Sequence, residues 1–302
     1  MNGLRTLQST LAAFGLVVLV TGTATAVDIT ACGQIVPAHE VGVLQSDLVC
    51  TGHGLAVRAS GTLQLAGHSI TGDGDIGETG VVCSGPNGRA TGRCTIQGPG
   101  TISGFGRGVN VISSVVLRDL VVTGNGDGIY SPAVPQTGDV DATNVDASGN
   151  AGIGIRGRKV IASFVTASNN GGAGIVGETR GVVGSDIVAD GNGSSGIVAF
   201  RNSSGIFAFP SAKISNVQAN GNAGPAIYAG RVKLAGVTAS GNAFGVFAAA
   251  GKIESSTISA NPSGDVIGIP RRYRVFGLTC DHSYQLGIDQ MPIGTLGICA
   301  LD

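Results

Sequence analysis

The sequence predicts an all-β protein wound as a single-stranded parallel β-helix, a solenoid of short stacked strands. Three observations predict this fold. Glycine accounts for 52 of the 302 residues without a Gly-x-y period, only 12% of the residues are charged, and a motif of about twenty residues recurs through the middle of the chain. An ordinary soluble domain carries about 25% charged residues, so the surface of this chain contains fewer charged side chains than usual.

The composition also excludes several classes of protein. Apolar residues make up 42% of the chain, which is too many for a disordered protein. Gly, Ala, Val, Ser and Thr take the place of the Leu, Glu and Lys of a helical bundle. Lys and Arg (18) nearly balance Asp and Glu (19), whereas nucleic-acid-binding proteins need a basic excess to neutralise phosphates. We therefore expect no nucleic-acid partner.

The first 26 residues resemble a secretory signal peptide in their order of charged, apolar and small residues. Arg5 is followed by an apolar run from Leu11 to Val20 and then by Ala24-Thr25-Ala26, so we expect cleavage before Val27. The apolar run is too short for a membrane span, which needs roughly 20 apolar residues. We expect a secreted, periplasmic or cell-surface protein.

The six cysteines fall in two pairs near the start of the chain and one pair at its end. They are Cys32 and Cys50, Cys83 and Cys94, and Cys280 and Cys299. Six thiols permit 15 pairings, of which we expect neighbour pairing because an exported chain meets an oxidising environment. The predicted organisation is an N-terminal cap over residues 27–60, a β-helix over 61–270 and a C-terminal cap over 271–302.

The repeat combines an aliphatic anchor, a small residue two positions later and an asparagine five positions after the anchor. The anchors are Leu120, Val145, Val165, Ile187, Val217, Val237 and Ile258. The asparagines are Asn125, Asn150, Asn170, Asn192, Asn222 and Asn242, with Ser263 closing the series. A glycine-aliphatic pair follows nearly every asparagine, except that Ala226 and Asp265 replace the glycine.

Such a repeat indicates stacked units that are each too small to bury an apolar face alone. Alternating apolar residues before each anchor predict short strands, and coils would be stacked about 4.8 Å apart. One asparagine in each coil can donate a hydrogen bond to one neighbouring amide and accept one from the other. The alternative is that asparagine is simply common in surface turns.

The anchor-x-Ala-x-x-Asn pattern followed by Gly-Ile resembles the right-handed parallel β-helix repeat of the pectin-lyase-like superfamily. The segments Asp47–Cys50 and Leu63–Gly72 are similar to the first coil of its exported bacterial members. The resemblance covers about residues 45–270 and is specific for fold rather than for chemistry. Arg107 stands where an asparagine is expected, so the asparagine ladder should begin at Asn125.

Charged residues gather at the outward strand positions four and six residues before the anchors. Asp139 and Asp141 lie one coil from Lys159, with Arg156 and Arg158 just upstream. A second cluster spans three later coils and contains Lys213, Arg231, Lys233 and Lys252. The alternative is a non-catalytic protein, in which this charged strand face is simply exposed to solvent.

In pectin-lyase-like enzymes the corresponding strand face carries the cleft, and the resemblance therefore implies roles for these residues. Asp139 and Asp141 would handle a uronate carboxylate or a metal, and Lys159 or Arg158 would abstract the C5 proton. Arg156, Lys213, Arg231, Lys233 and Lys252 would bind substrate. The implied activity is polysaccharide-lyase-like, with binding and β-elimination of an acidic polysaccharide. The alternative is a non-catalytic cell-surface or envelope protein with a structural or adhesion role.

Two catalytic signatures of the superfamily are missing. The sequence has neither the acid trio of polygalacturonases nor the Asp-Pro-His-Asp run of alginate epimerases. Asp73, Asp75 and Glu78 can wrap a calcium ion, although short Asp-Gly segments are usually ordinary turns. No cofactor is otherwise indicated.

A second outward row follows the glycine-aliphatic pairs. It contains Tyr130, Arg156, Val176, Val198, Tyr228, Phe247 and Ile267. Three interpretations stay open for it: a platform for stacking sugars, an interface between copies of the chain, or a surface covered by the longer excursion after Ile197.

Overall fold

A computed structural model describes residues 26–85, 91–131, 138–199, 210–269, 272–286, 292–300 and 302. The predicted signal peptide lies outside these residues except for Ala26, and so does most of the excursion after Ile197. None of the described residues forms a helix, so none provides an apolar helix of membrane-spanning length. The described chain is a right-handed parallel β-helix of about 11 turns, as predicted.

The described residues form 23 strands. They are β1 (Ala26–Ile29), β2 (Ile35–Val36), β3 (Val41–Leu44), β4 (Leu48–Cys50), β5 (Leu55–Arg58), β6 (Thr62–Gln64), β7 (Ser69–Gly72), β8 (Thr79–Ser84), β9 (Arg93–Ser103), β10 (Arg107–Val111), β11 (Ser114–Val122), β12 (Asp127–Tyr130), β13 (Val140–Asp146), β14 (Ile155–Thr166), β15 (Ile175–Val188), β16 (Ile197–Ala199), β17 (Ser211–Gln218), β18 (Pro225–Ser240), β19 (Phe244–Ser259), β20 (Val266–Gly268), β21 (Tyr273–Thr279), β22 (Ser283–Leu286) and β23 (Pro292–Thr295).

The strands stack into three parallel sheets, because each coil contributes three segments that pair with the equivalent segments of the coils before and after it. Sheet 1 contains the segments before the anchors, such as Val140 paired with Val160. Sheet 2 contains the anchors, such as Val145 paired with Val165. Sheet 3 contains the glycine-aliphatic segments, with Ile155 paired to Ile175. Only β22 and β23, among the described strands, pair antiparallel.

The core is a column of aliphatic side chains enclosed by the three sheets. The anchors from Leu120 to Val237 are buried, and so are the alanines two residues later, from Ala147 to Ala239. Each fully buried Val, Leu or Ile contributes about 1.5–3 kcal/mol. The alternating pattern that predicted short strands therefore also identified the interior.

The asparagine column forms a continuous buried ladder, as predicted. Each asparagine donates from its backbone N–H and from Nδ2 to Oδ1 of the next asparagine, over 2.8–3.2 Å. The ladder begins at Asn125, whose Oδ1 accepts from the backbone N–H of Phe105 at 3.1 Å. Satisfying these groups matters because an unpaired buried N–H costs about 1–3 kcal/mol.

The ladder also explains most of the glycines that follow the asparagines, with Ala226 after Asn222 as an exception. A Cβ placed on Gly154 would lie 2.7 Å from Nδ2 of Asn170, and one on Gly174 would lie 2.9 Å from Nδ2 of Asn192. Both contacts are closer than real Cβ atoms normally allow. The glycine therefore leaves room for the amide of the following coil.

The last coil departs from the sequence prediction, which assigned Ile258 as an anchor and Ser263 as the end of the series. Register pairs Ile258 with Ala239, and the ladder continues to Asn261, which is 19 residues after Asn242. Ser256 stands at the anchor position, where its Oγ accepts from the N–H of Val237 at 3.1 Å. The prediction was wrong by two residues because a serine replaces the aliphatic anchor.

A carboxylate ends the ladder. Oδ1 of Asp265 accepts from the backbone N–H and Nδ2 of Asn261 at 3.2 and 2.9 Å. Its Oδ2 accepts from the N–H groups of Asp281 and His282 at 2.6 and 3.1 Å. Asp265 takes the place of the usual glycine because no further asparagine follows to occupy that space.

Three disulfides join neighbouring cysteines, as predicted: Cys32–Cys50, Cys83–Cys94 and Cys280–Cys299. Parallel stacking extends into both segments that were expected to cap the solenoid. In the first, β1 pairs with β3 and β2 with β5. In the second, β21 pairs with β19 and β22 with β20.

Candidate functional site

The outward face of sheet 1 carries an in-register row of cations on four successive strands. Lys213 pairs with Lys233, Lys233 with Lys252, and Lys252 with Arg274. Lys213 and Lys233 are exposed while their strand neighbours Ala212 and Ile214 are buried, which fixes the outward direction. We call Lys213, Lys233, Lys252 and Arg274 the cation row.

The cation row differs from the predicted cluster in two residues. Lys252 was expected beside Arg231, but Arg231 pairs with Ala250 and Lys252 moves into the row of Lys233. The coil from Val237 to Ser256 is two residues shorter than the sequence predicted, and this causes the shift of two positions. Arg274 was missed because residues 271–302 were taken as a cap; the alternation of Arg274, Val275 and Phe276 in β21 is the signal that could have found it.

Little negative charge balances the cation row. Nζ of Lys252 lies 2.6 Å from Oε1 of Glu254 and 5.8 Å from the ring of Phe276. Lys213, Lys233 and Arg274 form no ion pair with any residue that the structure describes. Like charges directly opposite each other on neighbouring strands destabilise a sheet. The row is therefore a positively charged surface that folding alone does not favour.

The predicted catalytic residues do come together at the other end of the same face. Oδ1 of Asp139 accepts from Nε of Arg158 at 2.8 Å, and Nη1 of Arg180 lies 3.7 Å from Oδ2. Lys159 and Asp139 stand next to the paired residues Val160 and Val140. Asp141 lies 3.8 Å from Nη1 of Arg93. Arg93 and Arg180 were not identified from the sequence.

The pKa values of Asp139 and Arg158 are shifted in opposite directions. Partial burial opposes ionisation of Asp139, but the hydrogen bond from Arg158 and the charges of Arg158, Arg180 and Lys159 outweigh it, so the pKa of Asp139 is lowered. The hydrogen bond to Asp139 raises the pKa of Arg158. A general base needs a pKa shifted the other way, so the structure does not support Arg158 in that role.

Two strands, β14 and β15, separate Asp141 from the cation row. Asp141 pairs with Ile161, Ile161 with Val183, and Val183 with Lys213. With strands about 4.8 Å apart, Asp141 and Lys213 are roughly 14 Å apart along the solenoid axis. Both predicted clusters therefore lie on one face, joined by an apolar stretch.

Arg156 does not belong to this face. It lies on sheet 3, in register between Tyr130 and Val176, where it forms an ion pair with Glu178. Its guanidinium carbon is 5.4 Å from the ring centroid of Tyr130. The predicted grouping of Arg156 with the cations of sheet 1 is therefore not what the fold produces.

The second outward row lies on sheet 3 in the expected register and borders a groove of about 620 Å3. Val176, Val198, Tyr228 and Phe247 line it together with the Arg156–Glu178 pair. The rings of Tyr228 and Phe247 meet edge to face at 5.2 Å, and burial raises the pKa of Tyr228. Ile267, at the end of the row, is buried.

The acidic residues near the first coils form local turns. Asp73 Oδ1 accepts from the N–H of Asp75 at 3.1 Å, and Asp75 Oδ1 accepts from the N–H of Gly77 at 2.8 Å. Loss of hydration raises the pKa of Glu78, and the nearby Asp73 and Asp75 raise it further. Across the described ranges, no group of three or more His, Cys, Asp or Glu side chains is arranged to hold a metal ion.

Comparison with known proteins identifies the fold. No family model and no curated protein matches the chain. The A-module of a mannuronan C-5 epimerase from Azotobacter vinelandii superposes with a TM-score of 0.51 and 14% identity, over 92% of this chain and 91% of the module. The Dettilon tailspike protein superposes with a TM-score of 0.51 and 12% identity, over 88% of this chain and 60% of the tailspike. The shared feature is the right-handed parallel β-helix.

Proposed function

We propose that this protein binds an acidic polysaccharide along sheet 1, with successive carboxylates of the sugar chain held by the cation row. The observation that carries the proposal is the stacking of Lys213, Lys233, Lys252 and Arg274 on adjacent strands. Their spacing of about 4.8 Å gives a regular array of positive charge parallel to the solenoid axis.

A polymer with repeated negative charges suits this array for a physical reason. Each exposed lysine is repelled by the lysine opposite it, and a bound carboxylate removes that repulsion while accepting a charge-assisted hydrogen bond. A neutral polymer would leave the repulsion in place. The row therefore favours a polyanion over an uncharged chain.

The structural relatives support a carbohydrate partner only at the level of fold. One of them is named as an enzyme acting on mannuronan, and the same solenoid is available here for a polysaccharide. The Asp-Pro-His-Asp run of alginate epimerases is absent. The proposal therefore depends on the residues of this chain and not on the activity of its relatives.

Cleavage by β-elimination is the finer part of the proposal, and Lys159 is its base. A polysaccharide lying on the cation row and extending across Ile161 and Val183 reaches the cluster of Asp139, Asp141 and Lys159. Lys159 would take the C5 proton, a C4–C5 double bond would form, and the C4–O bond would break with its electron pair leaving on oxygen. Arg158 and Arg180, already paired with Asp139, would hold that carboxylate in place.

Export of the protein from the cytoplasm is proposed from its N-terminal sequence alone. A chain cleaved before Val27 would begin at the second residue of β1, the strand at the start of the described coils. Export would place the cation row in contact with extracellular or periplasmic polysaccharide. The mass of the protein purified from the exported fraction tests this directly.

Calorimetric titration with oligouronates tests the binding proposal. Each exposed ion pair contributes about 0.2–1 kcal/mol, so Lys213→Gln combined with Lys233→Gln should weaken binding roughly 2- to 30-fold. The loss should shrink as salt screens the charges. Arg107→Gln removes a cation from sheet 3 and is the matched control. Equal affinity of the double variant for oligouronates would contradict the proposal, and so would a neutral polysaccharide whose binding the double variant weakens by the same factor.

Cleavage has its own measurement, the ultraviolet absorbance of the unsaturated product. Lys159→Ala should abolish that absorbance and retain the calorimetric affinity, because Lys159 lies outside the cation row. If wild-type protein binds oligouronate and produces no absorbance, the non-catalytic binding or adhesion role replaces the lyase role.

A further inference from the structure

The bend between sheets 1 and 2 places one residue of each coil in the left-handed backbone region, directly before the anchor. The φ values are 55° at Asp119, 53° at Asn144, 54° at Phe164, 57° at Asp186 and 49° at Asn216. Asp and Asn visit this region more readily than other side-chain-bearing residues because their short polar side chains form local hydrogen bonds. The column continues with Gly236, Ser255 and Gly277. Phenylalanine has no such compensation, so Phe164 is the large apolar exception among these residues.

Phe164 also interrupts a chain of contacts. Nδ2 of Asn144 donates to Oδ1 of Asp119 at 2.7 Å on one side of it, and Nδ2 of Asn216 donates to Oδ1 of Asp186 at 3.2 Å on the other. Burial does not explain the residue either, because its side chain is 64% exposed. A strained residue that gains nothing from packing points to a role outside folding.

Phe164 lines a second groove, of about 400 Å3, that crosses the bends of five successive coils. Gly67 and Pro99 line its N-terminal end, Asp119 and Asn144 follow, and Phe164 lines its C-terminal end. This volume falls in the range of small-ligand sites. Along one side the groove offers the half-exposed Val121 and the exposed Asp146.

We propose that this groove binds an uncharged hexopyranose unit, whose C–H face stacks on the ring of Phe164. The ring face carries partial negative charge and attracts the weakly positive C–H groups of a sugar. Asp119, Asn144 and Asp146 supply oxygen acceptors and an amide donor for the hydroxyl groups. An apolar plate next to polar groups is the combination that a pyranose requires.

The charges of the groove set it apart from the cation row. Among the residues that the structure describes, two carboxylates and neither a lysine nor an arginine line it, so a uronate would be repelled. The proposal is therefore independent of acidic-polysaccharide binding on sheet 1. It describes a second sugar site, for a neutral instead of an acidic sugar, at the bend between sheets 1 and 2.

The chain contains no tryptophan, so Phe164→Trp makes a single fluorescent reporter in the groove. Cellohexaose, maltohexaose and mannohexaose are titrated into this variant, with oligogalacturonate as the anionic comparison. At least one neutral hexasaccharide should shift the emission saturably, and oligogalacturonate should not. Saturation-transfer NMR on wild-type protein, with the same sugars, should show contact between the sugar protons and an aromatic ring.

Phe164→Asn tests the residue without breaking the fold, because asparagine occupies this position in two other coils, at Asn144 and Asn216. Neutral-sugar binding should be lost while the melting temperature stays the same or rises. Ile76→Asn, which alters an exposed apolar residue outside the groove, should keep binding. The combined Lys213→Gln and Lys233→Gln variant should also keep it, which separates this proposal from the one on sheet 1.

Three results would overturn the inference. One is the absence of saturable binding for all three neutral hexasaccharides. Another is unchanged binding in Phe164→Asn. The third is a wild-type dimer in light scattering that becomes a monomer in Phe164→Asn, since Phe164 would then serve a contact between copies of the chain.

Discussion

Replacing the carboxylate that ends the asparagine ladder tests whether the solenoid needs an acceptor-only terminus. Asp265→Asn changes one oxygen to an amide nitrogen and keeps the shape of the side chain. Both oxygens of Asp265 are used, each by two N–H donors, and the residue is 1% exposed. An asparagine at this position can face only one pair of donors with its oxygen, whichever way it turns.

The expected cost follows from the number of hydrogen bonds lost. With the amide oxygen kept towards Asn261, the N–H groups of Asp281 and His282 face a nitrogen that cannot accept. Hydrogen bonds to charged groups contribute about 1.5–3 kcal/mol each. His282 is exposed, so water satisfies part of this loss and we expect destabilisation by about 3 kcal/mol.

Urea unfolding followed by circular dichroism measures this cost, and hydrogen exchange locates it. Exchange in Asp265→Asn should accelerate first in β20 and β22, which flank the end of the ladder, because solenoids open locally from their ends. Asp281→Asn is the matched control, since within the described part of the chain its carboxylate accepts only from Ala260 N–H, at 3.2 Å. The reasoning is refuted if Asp265→Asn loses no more stability than Asp281→Asn, or if exchange is unchanged in β20 and β22.

Two further predictions concern the ladder interior and the acidic cluster. Asn170→Ala should lower the free energy of unfolding in urea by about 2–3 kcal/mol, because it leaves the buried N–H of Asn150 without an acceptor. As the control, Asn169→Gly changes an exposed neighbour and should alter stability by less than about 0.5 kcal/mol. Equal losses in the two variants would contradict a stabilising ladder. The lowered pKa of Asp139 means that its contribution to stability is complete above the ordinary carboxyl pKa of about 3.9 and is lost as the pH falls through the folded-state value. Urea midpoints of wild type and Asp139→Asn should therefore converge in acid, and a gap that persists at low pH would disprove the ion pair with Arg158.

Much of the fold could be predicted because its main features repeat at a fixed spacing. The anchors, the small residues and the asparagines recur at one offset from each other, and that recurrence predicted both the buried column and the ladder from Asn125 onward. The glycine rule was visible as well. Its cause, the approach of the next amide to within 2.7 Å of a Cβ on Gly154, was visible only in three dimensions.

The prediction failed where the repeat changes one of its members. Ser256 at an anchor position moved the predicted register by two residues, and this error placed Lys252 beside Arg231 instead of Lys233. Arg274 was missed for a related reason, since residues 271–302 contain no asparagine of the repeat and only the alternation in β21 marked one more coil. The partners Arg93 and Arg180 each come from a strand two coils away from the aspartate they contact and have no signature along the chain.

The sequence alone determined that this chain winds into stacked coils, which face of each strand is buried, and where the ladder begins. These properties depend on contacts between equivalent positions one repeat apart, and a linear period encodes them. The tertiary structure decided which charges are neighbours, which carboxylate ends the ladder, and that an exposed Phe164 faces a groove crossing five bends. Those properties depend on the exact number of residues in each coil, since a difference of two residues moves a side chain into another row.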